Sequence, residues 1–223
     1  MSKTSATILF SGGQDSTTCL FWAKQRFEKI TAIGFHYGQR HKIELEQAAH
    51  IASIAGVDFV ILDIVGLLGG SSLIDYEKDH NQAHEKNAAL PNSFTAGRNA
   101  LFLTIAGSYS FGKDIFDIVT GTCQTDFSGY PDCRRRFVDA QQLALTLAMD
   151  ADFHIHTPLM YLTKAETWKM AKDLGCLDIV IDYSMTDYNG SKVKNEWGFG
   201  IEDNPATKLR AAGFREAKEK GWL

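Results

Sequence analysis

The feature that most constrains the fold lies close to the N-terminus, where an apolar stretch runs into a pair of glycines. Residues 6–10 (ATILF) are mostly apolar and too few for a stable helix, which is typical of a buried strand. Gly12 and Gly13 then allow backbone angles that a side chain would forbid. Asp15 opens a helix whose apolar face comes from residues 19–23. A strand, a glycine turn and a helix N-terminus in this order present bare backbone N–H groups to an anion, so we predict a phosphate site.

The loop between this strand and this helix reads SGGQDS, residues 11–16. It does not fit G-x-x-x-x-G-K-[ST], because no lysine follows the second glycine, and it does not fit G-x-G-x-x-G. It resembles the SGGxDS loop of the PP-loop ATP pyrophosphatases, which cleave ATP to AMP and pyrophosphate. A plain turn between strand and helix would explain the glycines, but it would not explain the density of hydroxyl and carboxylate groups.

The order of the remaining apolar stretches predicts an α/β fold. Further strands are expected at residues 30–37, 57–64, 115–120 and 153–157, with helices along the chain between them. This alternation favours a Rossmann-like sheet of five parallel strands, as in PP-loop and adenine nucleotide alpha hydrolase-like proteins. After the first helix, helices are predicted at residues 42–55, 99–111, 132–148, 164–174 and 206–212.

We expect residues 1–180 to form the ATP pyrophosphatase domain. Residues 181–223 are expected to form a small irregular C-terminal lobe of the same compact unit, because the periodicity is poor after residue 182. Residues 66–92 are rich in glycine, charged and amide residues and predict a long loop. Loops of this length are often active-site lids, but a solvated linker fits the same composition.

The composition narrows the class of protein and its compartment. A net charge of -4 over 223 residues gives no global basic field, so nucleic acid is not an expected partner. No stretch approaches the roughly twenty apolar residues that span a membrane, and the N-terminal residues lack the apolar segment of a signal peptide. The four cysteines form no C-x-x-C pair, which predicts free thiols in a reducing compartment. We therefore expect a cytoplasmic protein.

Chemically distinctive blocks follow the predicted strands. In open parallel sheets, ligands bind outside the carboxyl ends of the strands, so these blocks should meet at one edge. They read SGGQDS at residues 11–16, HYGQRH at 36–41, FTAGRN at 94–99, GTCQTDFSGYPDCR at 121–134 and TPLMYLTKAETW at 157–168.

The blocks SGGQDSTTCL, HYGQRH, GRN, TDFSGYPDCR and KAETW resemble, in this order, those of the 7-cyano-7-deazaguanine synthases, which make the nitrile precursor of queuosine. The resemblance extends to KLRAAGF at residues 208–214, and SGYPDCR separates this family from other PP-loop enzymes. It implies a reaction in two ATP-dependent halves. The carboxylate of 7-carboxy-7-deazaguanine is adenylated and ammonia displaces AMP; the resulting amide is then adenylated on oxygen and eliminated to a nitrile. The family also implies a homodimer.

The resemblance assigns the first loop to ATP. Asp15 would contact Mg²⁺, and it could serve as a helix N-cap at the same time. Lys164 would reach the phosphates as a point charge, although it could be an ordinary surface lysine. The expected ATP-binding residues of this region are Phe10, Ser11, Gly12, Gly13, Gln14, Asp15, Ser16 and Thr17.

Arg98 and Asn99 are also expected to bind the nucleotide or the substrate carboxylate, since the guanidinium forms a fork that matches a carboxylate. A structural ion pair is the alternative for Arg98. Together with Asp15 and Lys164, Arg98 is an expected catalytic residue.

Four further residues are expected to bind the deazaguanine. Asp126 and Asp132 could accept hydrogen bonds from N–H groups of the ring. Phe94 or Tyr130 could stack on the ring, although either aromatic side chain could instead belong to the core.

The C-terminal region departs from the family pattern. Family members carry zinc-binding cysteines in T-C-Y-x-G and C-G-x-C-P-A-C, whereas this chain has T-D-Y-N-G at residues 186–190 and I-E-D-N-P-A-T at 201–207. Isoleucine cannot bind zinc, and amide or hydroxyl oxygens are poor zinc ligands beside thiolate. We predict that the protein uses ATP and Mg²⁺ and lacks zinc. The family's four ligand positions fall on Asp187, Ile201, Asn204 and Thr207.

A structural zinc site can contribute on the order of 10 kcal/mol of folding free energy, so something must replace it. The candidates are packing of Trp197 and Phe199, a network from Thr186 and Asp187, or disorder of residues 190–205. The change also leaves other functions open. These are a ligase that stops at the amide or uses another acid or amine, and a non-catalytic nucleotide-binding relative. A tRNA-thiolating enzyme is a weaker alternative, because such an enzyme would usually need reactive cysteines and a basic surface and this chain shows neither.

Overall fold

The computed structural model describes residues 4–38, 43–68, 83–84, 87–92, 94–125, 130–187 and 190–223. The strands in this part of the chain are β1 (Ser5–Leu9), β2 (Lys29–His36), β3 (Asp58–Asp63), β4 (Ala83–His84), β5 (Asn87–Pro91), β6 (Asp117–Val119), β7 (His154–His156), β8 (Lys194–Asn195) and β9 (Gly198–Phe199). The helices are α1 (Gln14–Lys24), α2 (Ile43–Ala55), α3 (Arg98–Phe111), α4 (Arg135–Met149), α5 (Lys164–Asp173), α6 (Leu177–Tyr183) and α7 (Pro205–Glu219), with a 3-10 turn at Pro131–Cys133.

The central sheet has five parallel strands in the order β3-β2-β1-β6-β7, which confirms the predicted fold class. Strand β1 lies in the middle, with Ile8 opposite Ala32 of β2 and Val119 of β6. The chain passes from β1 outward to β3 and returns to the other side of β1 as β6. The strand order therefore reverses between β1 and β6, and ligands of such sheets bind at the carboxyl edge of this switch point.

Helices cover both faces of the sheet. Apolar residues of α1 and α2, among them Leu20 and Ile51, share a buried cluster with Ile8. On the opposite face, Leu103 of α3 and Leu145 of α4 are buried with apolar residues of β6 and β7. Strands buried on both faces explain why the sequence shows apolar runs rather than strict alternation.

The C-terminal residues pack on the sheet domain through helix α5. Trp168 of α5 lies edge-on to Phe214 of α7, with the ring centroids 5.1 Å apart. Helix α7 continues to Glu219, beyond the predicted end at residue 212, because Phe214 and Ala217 extend its buried face. The predicted domain boundary at residue 180 falls inside α6.

Helix α6 and two short antiparallel pairings were not expected from the sequence; one of the pairings joins β8 to β9. The predicted long loop contains the other, a short antiparallel pairing of β4 with β5. The predicted helix over residues 132–148 begins as the 3-10 turn, and its α-helical part starts at Arg135. Within the described ranges, the helices are all too short or too polar to cross a membrane.

Candidate active site

The glycine loop connects β1 to α1 at the switch point of the sheet. Gly12 has a φ of 75°, and a Cβ at this position would lie 2.8 Å from the backbone nitrogen of Ala48 in α2. Gly13 is the N-cap of α1 and has no side chain with which to cap the first turn. The first backbone N–H groups of α1 are therefore available to an anion, with the positive end of the helix dipole behind them.

Other segments hold this loop in place. The backbone N–H of Met185 donates to the Gly12 carbonyl oxygen at 3.2 Å, and a Cβ at Gly13 would lie 3.4 Å from the Met185 carbonyl oxygen. Gly121, just after β6, packs against Asp15, where an added Cβ would be 3.2 Å from the Asp15 carbonyl carbon. The loop is thus enclosed by α2, by the turn after β6 and by the segment after α6. A glycine lies at each of these three contacts: Gly12, Gly121 and Gly13, respectively.

Several polar atoms beside the loop are buried and lack a partner within the described part of the chain. They are both amide atoms of Gln14 and the hydroxyl oxygens of Thr17 and Thr122. A buried polar group without a hydrogen bond costs about 1–3 kcal/mol, so such groups usually serve a ligand or a bound water. Their position at the switch point fits a polar ligand such as a nucleotide.

The side chains of Phe10, Ser11 and Ser16, three predicted ATP-binding residues, make contacts within the protein. Phe10 is buried, and its ring lies edge-on to Phe59 with centroids 6.1 Å apart, so this predicted ATP contact contributes its side chain to the core. The Ser11 and Ser16 hydroxyls are 3.2 Å apart, and Ser16 Oγ also donates to the Gly13 carbonyl oxygen. These bonds fix the shape of the turn.

Lys164 and Asp15, both predicted phosphate-site residues, form an ion pair at the carboxyl edge of the sheet. Lys164 Nζ donates to both carboxylate oxygens of Asp15 at 2.9 Å. Lys164 is the first residue of α5, whose start is fixed by a capping box between Thr163 and Glu166. A Cβ at Gly213 of α7 would lie 2.6 Å from Lys164 Cγ, so this glycine leaves room for the lysine stem.

A second group of residues surrounds Arg98, the first residue of α3. The preceding Gly97 adopts a left-handed conformation, with a φ of 69°, and lets the chain turn into this helix. Arg98 donates a hydrogen bond to the Tyr37 hydroxyl, while burial raises the pKa of Tyr37. The Phe94 and Tyr130 rings are in contact, with centroids 5.5 Å apart.

Glu44, in the first turn of α2, belongs to the same group and was not predicted. Burial raises the pKa of its carboxyl group to about 7, although the positive charge of Arg98 lowers it. Glu44 also acts electrostatically on Tyr37. In the sequence it is one glutamate of an amphipathic helix, and nothing local separates it from the exposed Glu46.

Asn99 and Asp132 bind each other. The Asn99 backbone N–H donates to Asp132 Oδ2 at 3.0 Å, and its side-chain amide donates to the Asp132 carbonyl oxygen at 3.2 Å. These bonds attach the start of α3 to the turn Pro131–Cys133 and engage one carboxylate oxygen of Asp132. The proposed contact of Asp132 with a ligand stays a prediction, and Asp126 lies outside the described residues.

Hydrogen bonds join the residues at the four zinc-ligand positions that the resemblance implies, and we call this group the clasp. Asp187 Oδ1 accepts from the Asn204 side-chain amide at 3.0 Å, and Oδ2 accepts from the Ile201 backbone N–H at 3.1 Å. Asn204 Oδ1 accepts from the Thr207 backbone N–H at 3.1 Å and so caps α7. Both Asp187 oxygens are used, and the Ile201 side chain is exposed. These donors do not fit zinc.

Arg210 connects this clasp region to the glycine loop. It is completely buried and donates to the Trp197 carbonyl oxygen at 2.9 Å, to the Val180 carbonyl oxygen at 2.9 Å and to Thr186 Oγ1 at 2.8 Å. Burial lowers its pKa to about 10. Thr186 follows Met185, the residue that donates to the Gly12 carbonyl oxygen. Arg210 lies in the block KLRAAGF, which carried the resemblance without a predicted role.

Comparisons with known proteins identify the family to which the chain is similar. Residues 5–218 match the family model described as "Queuosine biosynthesis protein QueC". A 7-cyano-7-deazaguanine synthase from Bacteroides fragilis is 47% identical over 222 residues, which are 99% of each chain. One from Clostridium novyi is 47% identical over 218 residues, covering 96% of this chain and 95% of that protein.

Solved structures support the fold alone, because the identities are low. A predicted tRNA methyltransferase subunit from Methanocaldococcus jannaschii matches with a TM-score of 0.50 at 16% identity, over 76% of each chain. A 4-thiouridine synthetase, solved with RNA and bound ATP, matches with a TM-score of 0.51 at 14% identity, over 98% of this chain and 53% of that one. The family match and the near-complete coverage of its relatives confirm the resemblance found in the sequence, and the chain belongs to the 7-cyano-7-deazaguanine synthase family.

Proposed function

We propose that this chain is a carbon–nitrogen ligase that converts 7-carboxy-7-deazaguanine and ammonia into 7-cyano-7-deazaguanine at the expense of ATP. The observation that carries the proposal is the Asp15–Lys164 pair beside the glycine loop, at the switch point of the sheet. Relatives nearly half identical over almost the whole chain carry the name of this synthase, which supports the choice of substrate.

The glycine loop would hold the phosphates of ATP. The uncapped N–H groups at the start of α1 suit the pyrophosphate, and Lys164 Nζ supplies a positive charge close to them. The Asp15 carboxylate is a suitable oxygen ligand for Mg²⁺, which would help to neutralise the phosphates. Gln14, Thr17 and Thr122 offer buried polar atoms to the rest of the nucleotide.

The group around Arg98 would hold the deazaguanine. The Arg98 guanidinium suits a carboxylate, and its hydrogen bond to Tyr37 orients it. The Phe94 and Tyr130 ring pair suits stacking against a flat purine-like ring. Asp126 and Asp132 complete the proposed contacts with the ring N–H groups.

These roles of the glycine loop and of the group around Arg98 match the chemistry of the adenylation steps. A carboxylate is a poor electrophile, and transfer of AMP to its oxygen converts that oxygen into a leaving group. The transfer needs a held and neutralised pyrophosphate more than it needs a protein nucleophile. The loop and Lys164 serve that need in both halves of the reaction.

A ligase that stops at the amide is the second candidate, because the altered clasp region touches the glycine loop through Met185 and Gly12. Mass spectrometry of products formed from ATP, Mg²⁺, ammonium and 7-carboxy-7-deazaguanine decides between them. We expect the nitrile. Accumulation of the amide would favour the second candidate, and failure to release AMP would contradict both. We also expect a homodimer, which light scattering of the purified protein measures.

A further inference from the structure

The register of α2 places Glu44 one helical turn before Ala48, the residue that approaches the glycine loop. Ala48 is the residue of α2 whose backbone approaches Gly12 so closely that a Cβ there would lie 2.8 Å from its nitrogen. Residues four apart share one face of a helix, so Glu44 lies on the face that Ala48 presents to the loop. Because Glu44 is one turn closer to the start of α2, it lies towards the carboxyl edge of the sheet.

The neighbours of Glu44 belong to the proposed substrate site. Arg98, from the start of α3, lowers the pKa of Glu44 through its positive charge, and Glu44 acts electrostatically on Tyr37, just after β2. Arg98 and Tyr37 are hydrogen-bonded to each other. Tyr130, just before the 3-10 turn, acts on Tyr37 in turn. In the described part of the chain, the charged and titratable groups found to interact with this carboxyl group are Arg98 and Tyr37; residues 39–42 lie outside that part. The starts of α2 and α3 and the end of β2 thus bring together one carboxyl group, one guanidinium and the Tyr37 phenol, with the Tyr130 phenol acting on Tyr37.

We propose that Glu44 is the general base that takes protons from the substrate nitrogen. This inference rests on the proposed function, and it adds a catalytic residue to it. The surroundings of Glu44 suit the role, since burial shifts its pKa to about 7 and a base works best when its pKa lies near the working pH.

The reaction needs such a base in both halves. In the first, the nitrogen lone pair of ammonia forms a bond to the acyl carbon, the bond from that carbon to the AMP oxygen breaks, and AMP leaves with the electron pair. The surplus proton on nitrogen passes to the Glu44 carboxylate, which later releases it to water. In the second, the amide nitrogen loses two protons: one passes to water as the amide oxygen is adenylated, and Glu44 takes the other from the neutral adenylated intermediate. The freed electron pair completes the carbon–nitrogen triple bond as AMP leaves with its oxygen.

The test separates proton removal from assembly of the site. Glu44→Gln keeps the shape of the side chain and removes the proton acceptor, while Glu46→Gln changes an exposed glutamate two residues away on the same helix. Exchange of labelled pyrophosphate into ATP, dependent on 7-carboxy-7-deazaguanine, reports the first adenylation and needs no proton transfer from nitrogen. Release of amide and nitrile at saturating ammonium reports the later steps.

For Glu44→Gln we expect exchange within a few-fold of the unsubstituted enzyme and a loss of about 10²–10⁴-fold in amide and nitrile formation. Glu46→Gln should change neither rate. With the free ammonia concentration held constant, product formation by the unsubstituted enzyme should rise with pH and level off above pH 7, and Glu44→Gln should lose this rise. Glu44→Asp should recover part of the rate.

Two results would overturn the proposal. Equal losses of exchange and product formation would show that Glu44 organises the site, and unchanged product formation would show that it is not needed. A failure of the proposed function gives a different result from these two. The unsubstituted enzyme would then show no exchange dependent on 7-carboxy-7-deazaguanine, and the role of Glu44 would be refuted together with the proposed function.

Discussion

Lys164 Nζ donates to both carboxylate oxygens of Asp15 at 2.9 Å, although 149 positions separate the two residues in the sequence. The pair is partly buried, with 10% of the lysine and 29% of the aspartate side chain exposed. It joins the start of α1 to the start of α5 at the place where the sheet reverses its strand order. The same two groups would hold the phosphates and Mg²⁺, so the pair keeps both charges in position beside the glycine loop.

Removal of the lysine charge should prevent ATP cleavage. Lys164→Met keeps the apolar stem that passes Gly213 and removes the cation, so we expect a loss of about 10²–10³-fold in AMP formation. Lys169→Met is the control, since that lysine lies on the same helix in an exposed pair with Asp173. If Lys164→Met released AMP as fast as the control, Lys164 would have no role in the transfer.

A side chain at Gly12 should separate α2 from the loop. Gly12→Ala places a Cβ 2.8 Å from the Ala48 nitrogen, whereas Gly56→Ala has a similar positive φ and open space around it. Both variants should lose about 1–2 kcal/mol of unfolding free energy to the left-handed backbone, and Gly12→Ala should lose more because of the clash. Urea unfolding measures the difference, and equal losses would contradict the close approach.

The clasp should stabilise the C-terminal region without metal. Asp187→Ala leaves the Ile201 N–H and the Asn204 amide without their acceptor, so we expect a loss of about 2–4 kcal/mol of unfolding free energy. Asp182→Ala, which breaks an exposed pair with Lys194, should cost much less.

The purified protein should contain far less than one equivalent of zinc per chain, because the residues of the clasp are poor zinc ligands. A strong chelator should leave the unfolding midpoint unchanged, because the clasp does not depend on a metal. One equivalent of tightly held zinc, found by elemental analysis, would refute this account of the clasp.

Glu44 should reduce stability at neutral pH. Its folded-state pKa of about 7 lies above the ordinary value of 4.5, so the folded protein binds this proton more tightly and loses stability as the pH rises from 4.5 to 7. Glu44→Gln stays neutral and escapes this loss. The variant should therefore gain stability relative to the unsubstituted protein over this range, by up to about 3 kcal/mol above pH 7. Urea unfolding at pH 5 and pH 8 measures the gain, which Glu46→Gln should not show.

Much of the fold could be predicted because local pattern determines it. The apolar run before Gly12 and the helix opened by Asp15 gave the first strand, loop and helix within a few residues of their observed bounds. Helix α6 and the full length of α7 could not be predicted in this way. Both are stabilised by burial in one apolar cluster with residues of α5 and with Trp197, and local periodicity does not show this packing.

The residues of the candidate site also fall into those that the sequence could predict and those that it could not. Asp15, Lys164 and Arg98 lie in distinctive blocks, and the structure places them at the carboxyl edge of the sheet. In the sequence, Glu44 is an ordinary glutamate of a helix. Only the fold packs α2 on the glycine loop and brings Arg98, at the start of α3, close enough to act on Glu44. The sequence showed that cysteines were missing at the zinc positions, but only the fold shows that Asp187 accepts two hydrogen bonds there.

The count of AMP released per nitrile tests the central claim most directly. Purified enzyme would be incubated with ATP, Mg²⁺, isotope-labelled ammonium and 7-carboxy-7-deazaguanine, and the products would be identified and quantified by mass spectrometry. We predict a nitrile that carries the labelled nitrogen, with two AMP formed for each nitrile. AMP release that does not depend on the deazaguanine, or a product without the label, would contradict the account.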